Sequence, residues 1–264
     1  MDLQLHGKTA LVSGSTVGIG AAIASTLARE GSTVIVNGRT QERVEEAVAR
    51  IAREVPGARL RGAAGDLSTA AGVETVVKEF PNVDILVNNL GAFEAKPFFD
   101  ITDADWQLMW EKNVMSGVRL SRHYMRGMLD RNWGRVIFIS SEAGLNLSRN
   151  TVHYGVTKTA VLGLSRALAE LTVGSAVTVN AVLPSDTRTE AMAEWIEGVA
   201  KKKGVGAAEV EKEYFEKTRP SSLIRRFAEP AEVAALVAFV ASPLSAITNG
   251  AALRAEGGII HSIG

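Results

Sequence analysis

Short runs of β-branched and apolar residues alternate along this chain with longer stretches of helical period, an alternation that leaves few folds open. Segments 9–12, 33–36, 84–87, 135–139 and 177–182 read as strands, and a further strand precedes GDLST at 65–69. Helical period runs through 19–30, 42–54, 70–80, 103–131, 152–171 and 231–241. Strand then helix, repeated with right-handed crossovers, predicts an α/β fold: a doubly wound, Rossmann-like parallel sheet in a three-layer α/β/α sandwich. Ligands on such sheets bind beyond the carboxyl ends of the strands.

No linker interrupts the pattern, and 264 residues at 46% hydrophobic suffice for one core, so a single domain over 1–264 is expected. The polar segment 185–227 carries helical patches but no place in the sheet; it reads as a substrate lid or as a surface excursion. Lys plus Arg equals Asp plus Glu at 29 each, which points away from nucleic acid and anionic membranes and toward a small-molecule partner. The absence of cysteine excludes disulfides, thiolate metal sites and a cysteine nucleophile. Without a signal core or an apolar run of membrane-spanning length, the expected location is the cytoplasm.

Most motifs fall just after a predicted strand. SGSTVGIG at 13–20 joins the first strand to the first helix, and Gly14, Ser15, Gly18, Ile19 and Gly20 shape a turn that brings backbone close to a phosphate at a helix N-terminus. The second strand ends in VIVNGRT, where an NAD enzyme would carry an acid for the adenosine ribose; none stands there. Arg39 instead offers a guanidinium to a 2′-phosphate, so NADP(H) is the preferred cofactor and NAD(H) the alternative. Asp66, followed by Leu67, reads either as an acceptor for the adenine amino group or as a helix cap in competition with Ser68 and Thr69.

Ser141 stands thirteen residues before Tyr154, and Lys158 follows Tyr154 by four, one helical turn along the same face. An ammonium there favours the phenolate and would draw the phenol toward neutral pH, making a usable acid of a group that otherwise titrates near 10. Ser141 supplies a hydroxyl for the substrate oxygen. His153 points elsewhere on the helix and reads as structural, as does Ser140.

With NNLG at 88–91, Asn113 within KNV and NAVLPSDTRT at 180–189, these motifs resemble the short-chain dehydrogenase/reductase family over essentially the whole chain, in the manner of 3-oxoacyl carrier-protein ketoreductases. The resemblance implies hydride transfer with Tyr154 as general acid and base, Lys158 on the nicotinamide ribose and Ser141 on the substrate oxygen. Asn113 would break helix regularity and place a proton-relay water. It further implies Asn88 and Gly91 at the cofactor floor, Pro184 and Thr187 flanking the nicotinamide, Thr189 at its amide, and a homotetramer or dimer. Three positions depart from the family pattern: Ser13 for threonine, Leu90 for alanine and Ser185 for glycine. Phe93, Phe98, Trp195, Tyr214 and Phe215 suit either an apolar ketone or packing within the 185–227 segment. The alternative from another class is a silent NADP(H)-binding regulator of the same fold.

Overall fold

The strand residues alternate between two apolar layers, and that alternation decides the architecture. Ala10 and Val12, Val34 and Val36, and Ile85 and Val87 enter one core; Leu11, Ile35 and Leu86 enter the other. A strand buried on both faces needs helices on both sides. The computed structural model describes residues 1–263. Its strands are β1 (Thr9–Val12), β2 (Thr33–Gly38), β3 (Arg59–Ala64), β4 (Ile85–Asn88), β5 (Gly134–Ile139), β6 (Val177–Pro184) and β7 (Ala252–Ala255). Among the described residues they form one sheet, parallel throughout, in the order β3-β2-β1-β4-β5-β6-β7.

Helices α1 (Gly18–Arg29), α2 (Gln41–Glu54) and α9 (Pro230–Ala241) cover the first layer, with Ile23, Leu27, Ile51, Val233 and Val237 fully enclosed. On the other face lie α3 (Ala70–Glu79), α4 (Asp103–Trp110), α5 (Ser116–Asp130) and α6 (Val152–Glu170), which contribute Val76, Leu120, Met128 and Val161. Burying a side chain of this size is worth about 1.5–3 kcal/mol.

The expected α/β sandwich is what the chain forms, and the predicted helices lie within a residue or two of the observed ones. Two edges differ. β3 is bounded only by the structure, and β7 lies outside the segments that read as strands. Both are edge strands with one neighbour each, so neither needs the continuous apolar run that marks a central strand. The predicted helix 103–131 is interrupted by a π-helical turn at Glu111–Met115.

Segment 185–227 holds α7 (Glu190–Lys203) and α8 (Ala207–Lys217) around a small core of Ile196, Val210, Phe215 and Phe227. Tyr214 stacks on Phe227, with ring centroids 5.1 Å apart, so Tyr214 and Phe215 pack within the segment. It joins the body through a bridge between Thr187 and Ala228.

Candidate active site

The strand order reverses direction between β1 and β4, and the residues beyond their ends form the first half of the site. Gly14 and Gly18 adopt positive φ, 61° and 59°, as the turn requires. Any side chain at Gly20 would collide with Asn89 Nδ2 and the Gly14 carbonyl. Asn89 fixes the turn by donating to the carbonyls of Ser13 (2.9 Å) and Gly14 (3.0 Å). Ser13 Oγ accepts from the N–H groups of Asn89 and Leu90, both at 2.9 Å, so this replacement keeps a hydroxyl bracing one strand end to the other. Leu90 lies against Gly14.

Ser15 is wholly buried; its hydroxyl donates to Val12 O and accepts from Asn37 N, and its N–H bonds Asn37 O. What it supplies is the shape of the loop. Asn37, where an acid would face the ribose, is turned inward to accept from Gly14 N–H and donate to the carbonyls of Ala63 and Gly65. Arg39 stands exposed at the end of β2, with no hydrogen bond among the described residues and within electrostatic reach of Asp66. Asp66 accepts from Ser68 N–H and Oγ, while Thr69 caps α3; Leu67 is core.

The N-terminus of α1 has no side-chain cap from its own N-cap residue, Val17. Instead Glu190, from the first turn of α7, accepts from Gly18 N–H at 2.9 Å. Thr189 stands beside Gly18 and caps α7 through its hydroxyl, and Thr187 is buried with its hydroxyl on the Ser185 carbonyl. Ser185 Oγ bonds Asp186 at 3.3 Å. Pro184 closes β6, and Ile19 packs against the first core. The loop therefore offers a backbone N–H that already holds an anion, glycine at the closest approach and an uncommitted guanidinium nearby. Asn88 adds a buried Oδ1 with no partner. These features fit a dinucleotide pyrophosphate with a 2′-phosphate.

The second half lies beyond β4 and β5. The π turn delivers Asn113 into the interior, a common use of an inserted residue at a working site. Its Nδ2 donates to Thr157 Oγ1 at 2.9 Å, and Thr157 donates to the Tyr154 carbonyl at 2.7 Å, which ties Asn113 to α6. Lys158 reaches back to donate to Ile139 O at 3.0 Å. A methyl group on Gly91 would lie 3.2 Å from Asn113 Oδ1 and 3.4 Å from Lys158 Nζ, so Gly91 keeps open the space between them. Lys158 Nζ lies 5.7 Å from the centre of the Tyr154 ring, and the Ser141 hydroxyl is near enough to the Tyr154 phenol to lower its proton affinity. Ser141, Tyr154, Lys158 and Asn113 therefore share one site.

The electrostatics differ from expectation in one respect. Burial pushes the Tyr154 phenol up to about 12 and the Lys158 ammonium down to about 8, so desolvation outweighs the lysine's attraction for a phenolate. Ser140 Oγ bonds Lys158 O and serves packing. His153 is fully buried and pairs with Glu94 at 2.9 Å. Sequence reasoning missed Asn89, Glu190, Glu142 and Arg219, whose contacts span from 75 to 172 positions or run through a segment with no strand signal. Phe93 meets the Tyr154 ring edge-on at 5.0 Å, while Phe98 packs on Phe99 and Trp195 on Tyr214.

Comparison with known proteins agrees with this geometry. The family model for short chain dehydrogenases matches residues 8–200. The uncharacterised oxidoreductase YvaG of Bacillus subtilis (strain 168) is 47% identical over the full length of both chains. The 3-oxoacyl-[acyl-carrier-protein] reductase FabG of Aquifex aeolicus is 32% identical, over 98% of this chain and 100% of that one. The crystal structure of L-sorbose reductase from Gluconobacter frateurii, complexed with NADPH and L-sorbose, superimposes with a TM-score of 0.93 at 30% identity over 100% of both chains. With its parallel sheet, its glycine turn and its gathered Ser, Tyr, Lys and Asn, the chain is an oxidoreductase of the short-chain dehydrogenase family.

Proposed function

We propose that the protein reduces the carbonyl of a small ketone or aldehyde with NADPH, reversibly, with Tyr154 as the proton donor. The observation that carries this is the convergence of Tyr154, Ser141 and Lys158. When bound, NADPH supplies a hydride to the carbonyl carbon. Tyr154 delivers its phenolic proton to the carbonyl oxygen, and its high proton affinity keeps that proton in place at neutral pH. Ser141 holds the same oxygen and stabilises the charge that develops on it. Lys158 anchors the nicotinamide ribose, Arg39 holds the 2′-phosphate, and Asn113 fixes Lys158 and the water that reprotonates it. Gly14, Gly18, Ile19 and Gly20 seat the pyrophosphate on α1; Asp66 and Leu67 border the adenine, Asn88 and Gly91 floor the ribose, and Pro184, Thr187 and Thr189 face the nicotinamide.

The likeness to an enzyme holding L-sorbose supports a hydroxyl-bearing ketone ahead of a long acyl thioester. The segment 185–227 serves as its lid. Exposed Leu108, Trp110, Val156 and Val173 on or beside the long helices support a homotetramer, which light scattering tests. No helix among the described residues is long and apolar enough to cross a membrane, and we place the reaction in the cytoplasm.

The test is NADPH and NADH oxidation against L-sorbose, other keto sugars, β-keto esters, 3-oxoacyl thioesters, aryl ketones and quinones. Turnover with NADPH, lost in Tyr154→Phe while NADPH still binds, supports the reading. Tight NADPH binding without turnover on any compound replaces it with a silent nucleotide-binding regulator.

A further inference from the structure

A chain of charged groups runs from the 185–227 segment to the proton donor. Arg219, two residues beyond α8, donates from Nε to Asp186 Oδ2 at 2.7 Å and forms an ion pair through Nη2 with Glu142 Oε1 at 3.0 Å. Glu142 Oε2 accepts from Ser141 Oγ at 3.2 Å, and the Ser141 hydroxyl acts on the Tyr154 phenol, whose proton affinity it lowers. Tyr214 of α8 closes the cluster by donating to Asp186 Oδ1 at 2.7 Å. The Glu142 side chain is only 4% exposed and that of Asp186 11%.

One guanidinium thus bridges two carboxylates that have almost left water, an arrangement that holds only while the cation is present. Without it, Glu142 and Asp186 face each other with hydroxyl donors alone, and Glu256 adds its charge to Glu142. Glu142 would then turn away or take up a proton, and Ser141 would lose the acceptor that fixes the direction of its hydroxyl.

We propose that Arg219 is a positioning residue for the proton donor: by pinning Glu142 it orients Ser141 beside Tyr154, and so makes the acid depend on the docked position of the α7–α8 segment. This rests on the carbonyl-reductase reading above. The groups that face the cluster are Glu142 and Ser141 after β5, Tyr154 on α6, Asp186 after β6, Tyr214 and Arg219 from the 185–227 segment, and Glu256 after β7. Glu142 and Asp186 raise the proton affinity of Tyr154 and Arg219 lowers it, so loss of Arg219 makes Tyr154 a weaker acid.

The test uses Arg219→Gln, Arg219→Lys, Glu142→Gln and the Arg219→Gln/Glu142→Gln double variant in the full-length protein. Each is assayed with whichever of L-sorbose and ethyl acetoacetate the wild type reduces, and with the corresponding alcohol in the reverse direction. NADPH affinity is measured separately by fluorescence. We expect Arg219→Gln to lower kcat by roughly 10–100-fold with NADPH Kd within about twofold of wild type, the loss that goes with one charge-assisted contact. The pH midpoint of the oxidation rate should rise by ~0.5–1 unit. Arg219→Lys should recover part of kcat, and the double variant should be no slower than Arg219→Gln, because the two residues act through one path. An unchanged pH midpoint with only a lowered melting temperature overturns the proposal, as do strictly additive effects. A wild type that binds NADPH yet turns over no ketone overturns the reductase reading itself, and the inference falls with it.

Discussion

Asn113 and Ala92 bond each other twice: Asn113 Oδ1 accepts from Ala92 N–H at 2.7 Å, and its Nδ2 donates to the Ala92 carbonyl at 3.1 Å. The amide side chain thus pairs with a loop backbone as a neighbouring strand would, and the π turn puts it where it can. Asn113→Ala leaves the Ala92 N–H without that partner at a half-buried position, at a cost of about 0.5–1.5 kcal/mol. Thermal unfolding should show the loss, and kcat should fall further than stability alone explains, because the Thr157 link to α6 goes with it.

Gly20→Ala should be worse for binding than for folding. The added methyl meets the Gly14 carbonyl and Asn89 Nδ2, which are bonded to each other, so the phosphate turn must open. Overpacking of this kind costs about 1–3 kcal/mol. Urea titration should register that amount, while calorimetric titration with NADPH should show affinity falling below detection.

The pH response follows from Lys158, whose proton affinity burial lowers to about 8. The rate of ketone reduction should decline as pH rises through about 8, when the ammonium near Tyr154 loses its charge. Stability moves the other way. The unfolded chain keeps this proton up to the ordinary lysine value of 10.5, so between about 8 and 10.5 it binds more protons than the folded chain, and this group's contribution to stability rises with pH. Opposite slopes in a pH–rate profile and a pH–melting profile would check both signs.

Arg39→Ala tests the nucleotide assignment. With Asn37 turned inward and no acid at the end of β2, Arg39 is the charged side chain left to meet a 2′-phosphate there. Loss of one charge-assisted contact should cut the preference for NADPH over NADH by roughly tenfold. Equal loss for both nucleotides would place Arg39 elsewhere.

Glu190→Gln should tighten NADPH binding. The Glu190 carboxylate sits on Gly18 N–H, at the helix end that suits a phosphate, and a charge there contributes about 0.3–1 kcal/mol. Removing it should improve Kd by ~2–5-fold for NADPH and leave 2′-AMP, which has no pyrophosphate, unchanged. Fluorescence titration of both ligands decides it.

Much of this was legible in the sequence because it is local or periodic. The central strands declare themselves as β-branched runs, α6 carries Tyr154 and Lys158 at one-turn spacing, and the glycine turn needs residues that tolerate positive φ. What was not legible depends on distance or burial. Asn89 gains its role from a turn 75 positions earlier, Glu190 from a helix end 172 positions away, and Arg219 from carboxylates on two loops. The proton affinity of Tyr154 was misjudged for the same reason: spacing shows the lysine, but only packing shows how much water both groups have lost.

The seam between β1 and β4 also bears on how the molecule comes into being. Ala10 pairs with Ile85, the Thr9 N–H reaches Asp84, and the Ser13 hydroxyl gathers Asn89 and Leu90, so segments about 75 residues apart must meet before either half has an edge to work from. The chain between them builds β2, β3 and three helices that can form early from near neighbours, whereas this closure is non-local and correspondingly slow. The nucleotide seat is not carried by any one segment; it is created by the closing step itself. A truncated or stalled chain that retains every glycine of the turn therefore has no seat to offer, and ligand binding reports the completion of folding rather than its onset.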